Sequence, residues 1–203
     1  DLKVLISSIR EGLHPDLPGG GRVDVFAYSI GALATQVMML SKPSVLPEES
    51  RVMLFCGGSA FGLMNGTSKL IMDSRAFERL MTFYMEWPGD SRNNDGDMLM
   101  KIMNDTPEGE SFYAMTSLNR LKAVSGTPFR NTEGKLRAVS FAGDCVIPSD
   151  AVSATLQGAN LEVWSPGYPF THENPFPVLA GNLSDEVDRT FDRLFTTAAS
   201  FLS

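Results

Sequence analysis

Residues 23–36, Val-Asp-Val-Phe-Ala-Tyr-Ser-Ile-Gly-Ala-Leu-Ala-Thr-Gln, constrain the fold more than any other stretch of the chain. They open as a short apolar run rich in β-branched and aromatic residues, the composition of a buried strand. The run breaks at Ala27-Tyr28-Ser29-Ile30-Gly31 and continues in small, helix-compatible residues. A strand that turns directly into a helix puts Ser29 at the C-terminal end of one element and the N-terminal end of the next. Two readings of Ser29 fit that position. It is an ordinary helix N-cap, or it is a nucleophile displayed on a sharp, strained turn. A sharp turn with close strand–helix packing needs small flanking residues, and Ala27 and Gly31 supply them.

The surrounding pattern extends the strand–helix alternation. Residues 1–14 carry Leu2, Leu5, Ile6, Ile9 and Leu13 on one helical stripe, and the Pro15–Gly21 region breaks it before the strand at 22–27. The helix after Ser29 runs to about residue 41, ending before Pro43. Arg51–Cys56 is a continuous apolar strand closed by Gly57-Gly58. Two buried strands joined by a helix imply a parallel βαβ unit. Lys135–Ala142 and Asn160–Trp164 supply a third and a fourth strand. A helix opens at Pro148, with Ser149 or Asp150 as its cap. A last helix starts at Asp185 behind Ser184, with Val187, Phe191, Leu194, Phe195, Ala198 and Leu202 on one face. The expected fold class is α/β, a three-layer sandwich around a parallel sheet.

One connection is too long for a single crossover helix. Residues 59–130 read as a helical insertion, with segments near 60–72, 74–87, 96–104 and 111–125, and the core is then 1–58 with 131–203. The insertion holds 8 of the 11 methionines. Methionine suits adaptable apolar surfaces. Met81, Met85 and Trp87, together with Tyr28, are therefore candidates for contact with an apolar substrate under a helical cap. The alternative is that the methionines form the insertion's own core.

A nucleophilic serine needs a base and a group that orients the base. The strand at 135–142 ends in Gly143-Asp144-Cys145-Val146-Ile147-Pro148, and the strand at 160–164 leads into Tyr168-Pro169-Phe170-Thr171-His172. His172 is the only histidine downstream of Ser29. The order serine, aspartate, histidine, each at the carboxyl end of a strand, resembles the α/β-hydrolase superfamily, with Ala27-x-Ser29-x-Gly31 as a variant of its Gly-x-Ser-x-Gly elbow. That resemblance implies Ser29 as nucleophile, His172 as base, Asp144 as the acid with Asp150 as second choice, and the Ile30 N–H as an oxyanion donor. It implies a serine hydrolase acting on an ester, thioester or amide with an apolar moiety, with no cofactor and no metal.

The resemblance spans the second half of the superfamily's fold. Residues 1–14 match the helix that leads into the nucleophile strand, and the strands before it have no counterpart. The strand at 22–27 is apolar throughout, as a central strand should be, yet it would be a sheet edge in this chain. Such edges invite pairing. The expectation is that the missing N-terminal half is a separate chain or a further region. The net charge of −7 argues against a nucleic-acid partner, and no 18-residue apolar run suits a transmembrane helix. Two cysteines, Cys56 and Cys145, in apolar strand-like contexts read as buried free thiols. A rival class is a hydrolase-fold protein without catalysis, whose helical cap serves binding. A nucleotide-binding α/β module is disfavoured, because Gly19-Gly20-Gly21 precedes a strand rather than following one.

Overall fold

The computed structural model describes residues 2–41, 46, 48–68, 70–86, 101–125, 129, 132 and 134–203. Strands β1 (Val25–Tyr28), β2 (Val52–Phe55), β3 (Leu136–Phe141) and β4 (Asn160–Trp164) form one sheet in the order β1-β2-β3-β4. All three pairings are parallel, with Tyr28 opposite Phe55, Phe55 opposite Val139 and Phe141 opposite Trp164. Parallel neighbours require crossovers: α2 (Ile30–Leu40) joins β1 to β2, α3 (Ser74–Glu86), α4 (Pro107–Met115) and α5 (Leu118–Ser125) lie between β2 and β3, and α6 (Ser149–Thr155) joins β3 to β4, while α1 (Leu2–Arg10) precedes the sheet and α7 (Asn182–Leu202) follows it. Residues 101–105 are also helical.

Every crossover steps to the next neighbour in the same direction, so right-handed connections place their helices on one face. The side chains sort accordingly. Val25, Ala27, Val52, Leu54, Leu136 and Ala138 pack with Ile6, Leu33, Met38, Met115, Leu121 and Val152 from the helices on that face. Met53, Phe55, Val139, Phe141 and Trp164 pack with Leu194 and Ala198 of α7 on the other. Period-two alternation thus divides each strand between two cores, which makes the molecule a three-layer α/β sandwich around a parallel sheet. Among the described residues no helix is long and apolar enough to cross a membrane.

β2 is buried at all four positions, whereas β1 has a paired neighbour on one side only and is buried only at Ala27. Two arginines fasten the far end of α7 to the start of the sheet. Arg51 Nη1 donates to the Phe201 carbonyl at 2.7 Å, and Arg22 donates to the Leu202 carbonyl. Asp24 joins both, accepting from Arg22 Nε at 2.8 Å and from the Arg51 N–H at 2.7 Å. Cations suit the negative end of a helix dipole.

Several local expectations are corrected. The stretch 60–72 is not a helix: it forms a 3₁₀ turn at Phe61–Leu63 and a bridged turn joining Thr67 and Ser68 to Met72. The stretch 111–125 is two helices. Thr106 caps α4 by accepting from the Gly109 N–H, Pro107 fits the first helical turn, and the chain breaks at Thr116-Ser117. α7 starts at Asn182 behind Gly181 (φ 64°), three residues before the expected start, and Ser184 does not cap it. Neither Ser149 nor Asp150 caps α6, whose N-cap is Pro148. The first helix ends at Arg10 rather than reaching residue 14; on it only Ile6 is buried, Leu5 is exposed, and Leu13 lies exposed beyond its end. Cys56 is a buried thiol, but Cys145 is exposed, because it sits in the loop beyond β3 rather than in the strand.

Candidate active site

β1 ends in a strained turn. Ser29 has φ 54° and ψ −124°, outside the regions that side-chain-bearing residues normally occupy. Such a conformation costs on the order of 1–3 kcal/mol and persists only where its surroundings enforce it. Three contacts do so. The Ser29 N–H donates to the Phe55 carbonyl at 3.2 Å, and the Ala32 N–H donates to the Ser29 carbonyl at 2.9 Å. Gly57 packs against the turn from the end of β2, so closely that a Cβ there would lie 2.4 Å from the Ala32 Cβ and 3.1 Å from the Ser29 carbonyl oxygen. The tight approach expected at Gly31 is absent, since a Cβ at Gly31 would meet no atom within 4 Å. The requirement for smallness sits on the neighbouring strand, where the five-residue pattern around Ser29 could not show it.

Ser29 occupies the N-cap position of α2, yet its hydroxyl makes no capping bond. The Oγ lies 2.6 Å from His172 Nε2 instead. His172 Nδ1 lies 2.8 Å from Asp144 Oδ2. Both side chains of that second pair are buried, at 2% and 0% exposure. The structure therefore brings Ser29, His172 and Asp144 into one hydrogen-bonded line, across three strand ends.

Asp144 is held from behind. Gly143 (φ 90°) turns the chain after β3, and Asp144 Oδ1 accepts from the Val146 N–H at 2.9 Å and the Ile147 N–H at 3.0 Å. With one oxygen so occupied, the other is committed to the imidazole. An Nδ1–H donating to that oxygen leaves Nε2 free to accept the Ser29 proton. Asp150 does not compete, because its Oδ1 accepts from the Ala151 N–H at 2.9 Å.

His172 lies in a tight turn closed by reciprocal bonds between Thr171 and Asn174. Tyr28 steadies that turn from below. Its hydroxyl donates to the His172 carbonyl, and its ring stacks on the imidazole at 5.7 Å and 19°. Burial pushes the Tyr28 phenol up to about 12, with Cys56, Asp144 and Glu173 adding to the shift. The Cys56 thiol lies against Asp144, and burial followed by that carboxylate pushes it far above its usual range. Cys56 is therefore a neutral neighbour of the triad.

The Ile30 N–H is the first of α2, where amides have no intrahelical partner. It supplies one donor beside Ser29, and the Ile30 side chain is 66% exposed. A cleft of about 450 Å³ opens beside His172, with Leu70, Val146 and Phe170 among its apolar lining and Ser68 and Glu173 among its polar lining. Neither Met81 nor Met85 lines it. Met85 packs against Gly62 in the insertion, where Tyr84 joins Phe61 and Phe112. Trp87 lies outside the described residues. Tyr28 turns inward to the histidine turn rather than toward a substrate. Part of the insertion reaches this cleft, through the 67–72 turn and not through α4, which packs on α2.

No curated protein matches the sequence significantly, whereas the model of one family covers it throughout. Matched over residues 1–203, the chain belongs to the family of unknown function DUF6051.

Proposed function

We propose that the protein is a serine hydrolase of the α/β-hydrolase type, cleaving an ester, thioester or amide with an apolar moiety. The observation that carries the proposal is the continuous line from Ser29 Oγ through His172 to the buried Asp144, at 2.6 and 2.8 Å, with Ser29 held at positive φ. In the proposed reaction Ser29 Oγ attacks the carbonyl carbon as its proton passes to His172 Nε2. Asp144 stabilises the imidazolium that forms. The tetrahedral oxyanion is met by the Ile30 N–H. His172 then gives its proton to the leaving oxygen, sulfur or nitrogen, and an acyl-Ser29 remains. Water, or another acceptor hydroxyl, repeats the sequence and frees the serine.

One amide is a sparse oxyanion site, and β1 offers an open edge beside it. A further strand paired with that edge, from another region or another chain, is part of the proposal because it would bring a second donor next to Ser29. The test is labelling with a fluorophosphonate probe. Stoichiometric modification mapped to Ser29, and lost in Ser29→Ala, is the expected outcome. A folded protein that stays unlabelled would favour the rival reading, a binding protein built on a hydrolase frame.

A further inference from the structure

The cleft beside His172 is electrostatically one-sided. Glu173 lines it, directly after the histidine in sequence, and among the described residues no lysine or arginine does. Glu173 is fixed rather than free to swing away. Ser68 Oγ donates to its Oε1, and Ser68 is itself set by the 67–72 turn, accepting from the Ile71 N–H at 3.0 Å. The Ser68 hydroxyl is the main cause that holds the Glu173 carboxyl below its usual range, so it is ionised at neutral pH. Phe170 lines the same cleft, its ring set edge-on against the fully buried Phe141 at 5.2 Å.

A carboxylate and an aromatic ring in one apolar cleft, with no lysine or arginine among the described lining residues, form a recognition set for an ammonium group. An anionic group would be repelled there, and a neutral one would gain only its apolar contacts. Resting on the hydrolase proposal for the reaction itself, we infer that the substrate carries an amine or quaternary ammonium group, seated between Glu173 and Phe170, on the part that fills this cleft. The net charge of −7 adds long-range attraction for such a cation.

Binding to Ser29→Ala separates recognition from chemistry. The probes are choline and its uncharged carbon isostere 3,3-dimethylbutan-1-ol, titrated by calorimetry or NMR. A half-exposed charge pair predicts that choline binds roughly fivefold tighter than the isostere. The preference should shrink in high salt and fall to about one in Ser29→Ala/Glu173→Gln. The ratio is taken within each protein, so a change in folded fraction cancels. Equal affinity for the two probes, no measurable choline binding, or a ratio indifferent to Glu173→Gln would overturn the inference. Its failure with Ser29 still labelled by fluorophosphonate leaves the hydrolase proposal standing. Choline preference without labelling would instead sustain the ammonium site and remove the hydrolase.

Discussion

Asp144→Asn tests the triad most directly, because the backbone dictates which way the new amide must face. Asp144 Oδ1 accepts from two buried-segment N–H groups, those of Val146 and Ile147. An asparagine keeps both bonds only by placing its carbonyl oxygen there, which turns its NH₂ toward His172 Nδ1. An NH₂ can only donate, so Nδ1 must become the acceptor and the ring proton moves to Nε2. Nε2–H then donates to Ser29 Oγ at the 2.6 Å contact and can no longer take its proton. The base is present, correctly placed, and in the wrong tautomer.

The expected cost is about 10,000-fold in the rate of acyl transfer, equivalent to about 5.4 kcal/mol of transition-state stabilisation. The fold should be spared, since the two backbone bonds survive and the volume is unchanged. Asp144→Ala is the contrast. It orphans two buried N–H groups at about 1–3 kcal/mol each, and should lower the melting temperature by about 2–4 °C per kcal/mol lost. The assay is the second-order rate of fluorophosphonate labelling of Ser29, read beside a thermal melt. Asp150→Asn, which keeps a side-chain oxygen to accept from the Ala151 N–H, should label at the native rate. Native-rate labelling of a folded Asp144→Asn protein, or loss of labelling in Asp150→Asn, would refute the assignment of the acid.

Four further substitutions have outcomes set by their contacts. Gly57→Ala forces a Cβ to within 2.4 Å of the Ala32 Cβ, so it should destabilise by about 1–3 kcal/mol and slow labelling. Gly31→Ala meets open space and should stabilise by about 0.5–1 kcal/mol through helix propensity, as paired urea titrations would show. Ser29→Gly relieves the positive φ, so it should melt about 2–4 °C above Ser29→Ala; an equal or lower melting point would mean the turn stores no strain. Glu162 is held below its usual pKa first by Arg137 and then by the Trp164 N–H. A depressed carboxyl stabilises the fold above its unfolded value of ~4.3, and that stability is lost as pH falls through the folded value. Glu162→Gln should therefore flatten the decline in urea midpoint as pH falls below the ordinary glutamate value of ~4.3.

What was legible in the sequence, and what was not, divides along a physical line. The strand at 160–164 matched β4 to the residue, and β2 and β3 fell within one residue of their expected ends, because runs rich in β-branched, aromatic and other apolar residues are bounded there by glycine or proline: Gly57 after β2, Gly143 after β3, and Gly158 and Pro166 around β4. Ser29, Asp144 and His172 were legible because each lies at or in the loop beyond the carboxyl end of a parallel strand, and all such strands end on one edge. Helix starts were less so: α7 begins at a glycine in positive φ, and no side-chain cap marks it. The methionine-rich insertion misled on the cleft. Its composition reports apolarity but not direction: the insertion's described contribution to the lining is Thr67, Ser68 and Leu70, and the rest comes from the loops after β3 and β4. Gly57, Tyr28 and Glu173 take their roles from neighbours distant in sequence, so no local pattern could assign them.

The sheet order also explains why β2 ends as it does. Ser29 follows β1 and Asp144 follows β3, so β2 lies between them, and two strand spacings separate the pair by about 9.5 Å. The Ser29 and Asp144 side chains, with one imidazole hydrogen-bonded to each of them, span that gap. The line of side chains joining the two therefore runs past the end of the strand between them. The sequence there is Cys56-Gly57-Gly58, the smallest run at the end of any strand in the sheet. The chain bends away at once, with Cys56 at φ 42° and Gly58 at φ 104°. Gly58 is pressed from the opposite side, since a Cβ there would lie 3.0 Å from Leu156 and 3.2 Å from Leu54. The close of β2 is thus constrained by the Ser29 turn beside Gly57 and by the core beside Gly58. An alanine at 57 should therefore disturb Ser29 and His172 together, lengthening the Ser29–His172 contact as well as loosening the turn. A downfield imidazole proton, seen by NMR when His172 bonds to Asp144, gives the readout. In Gly57→Ala it should shift or broaden, and an unchanged resonance beside slowed labelling would confine the damage to Ser29.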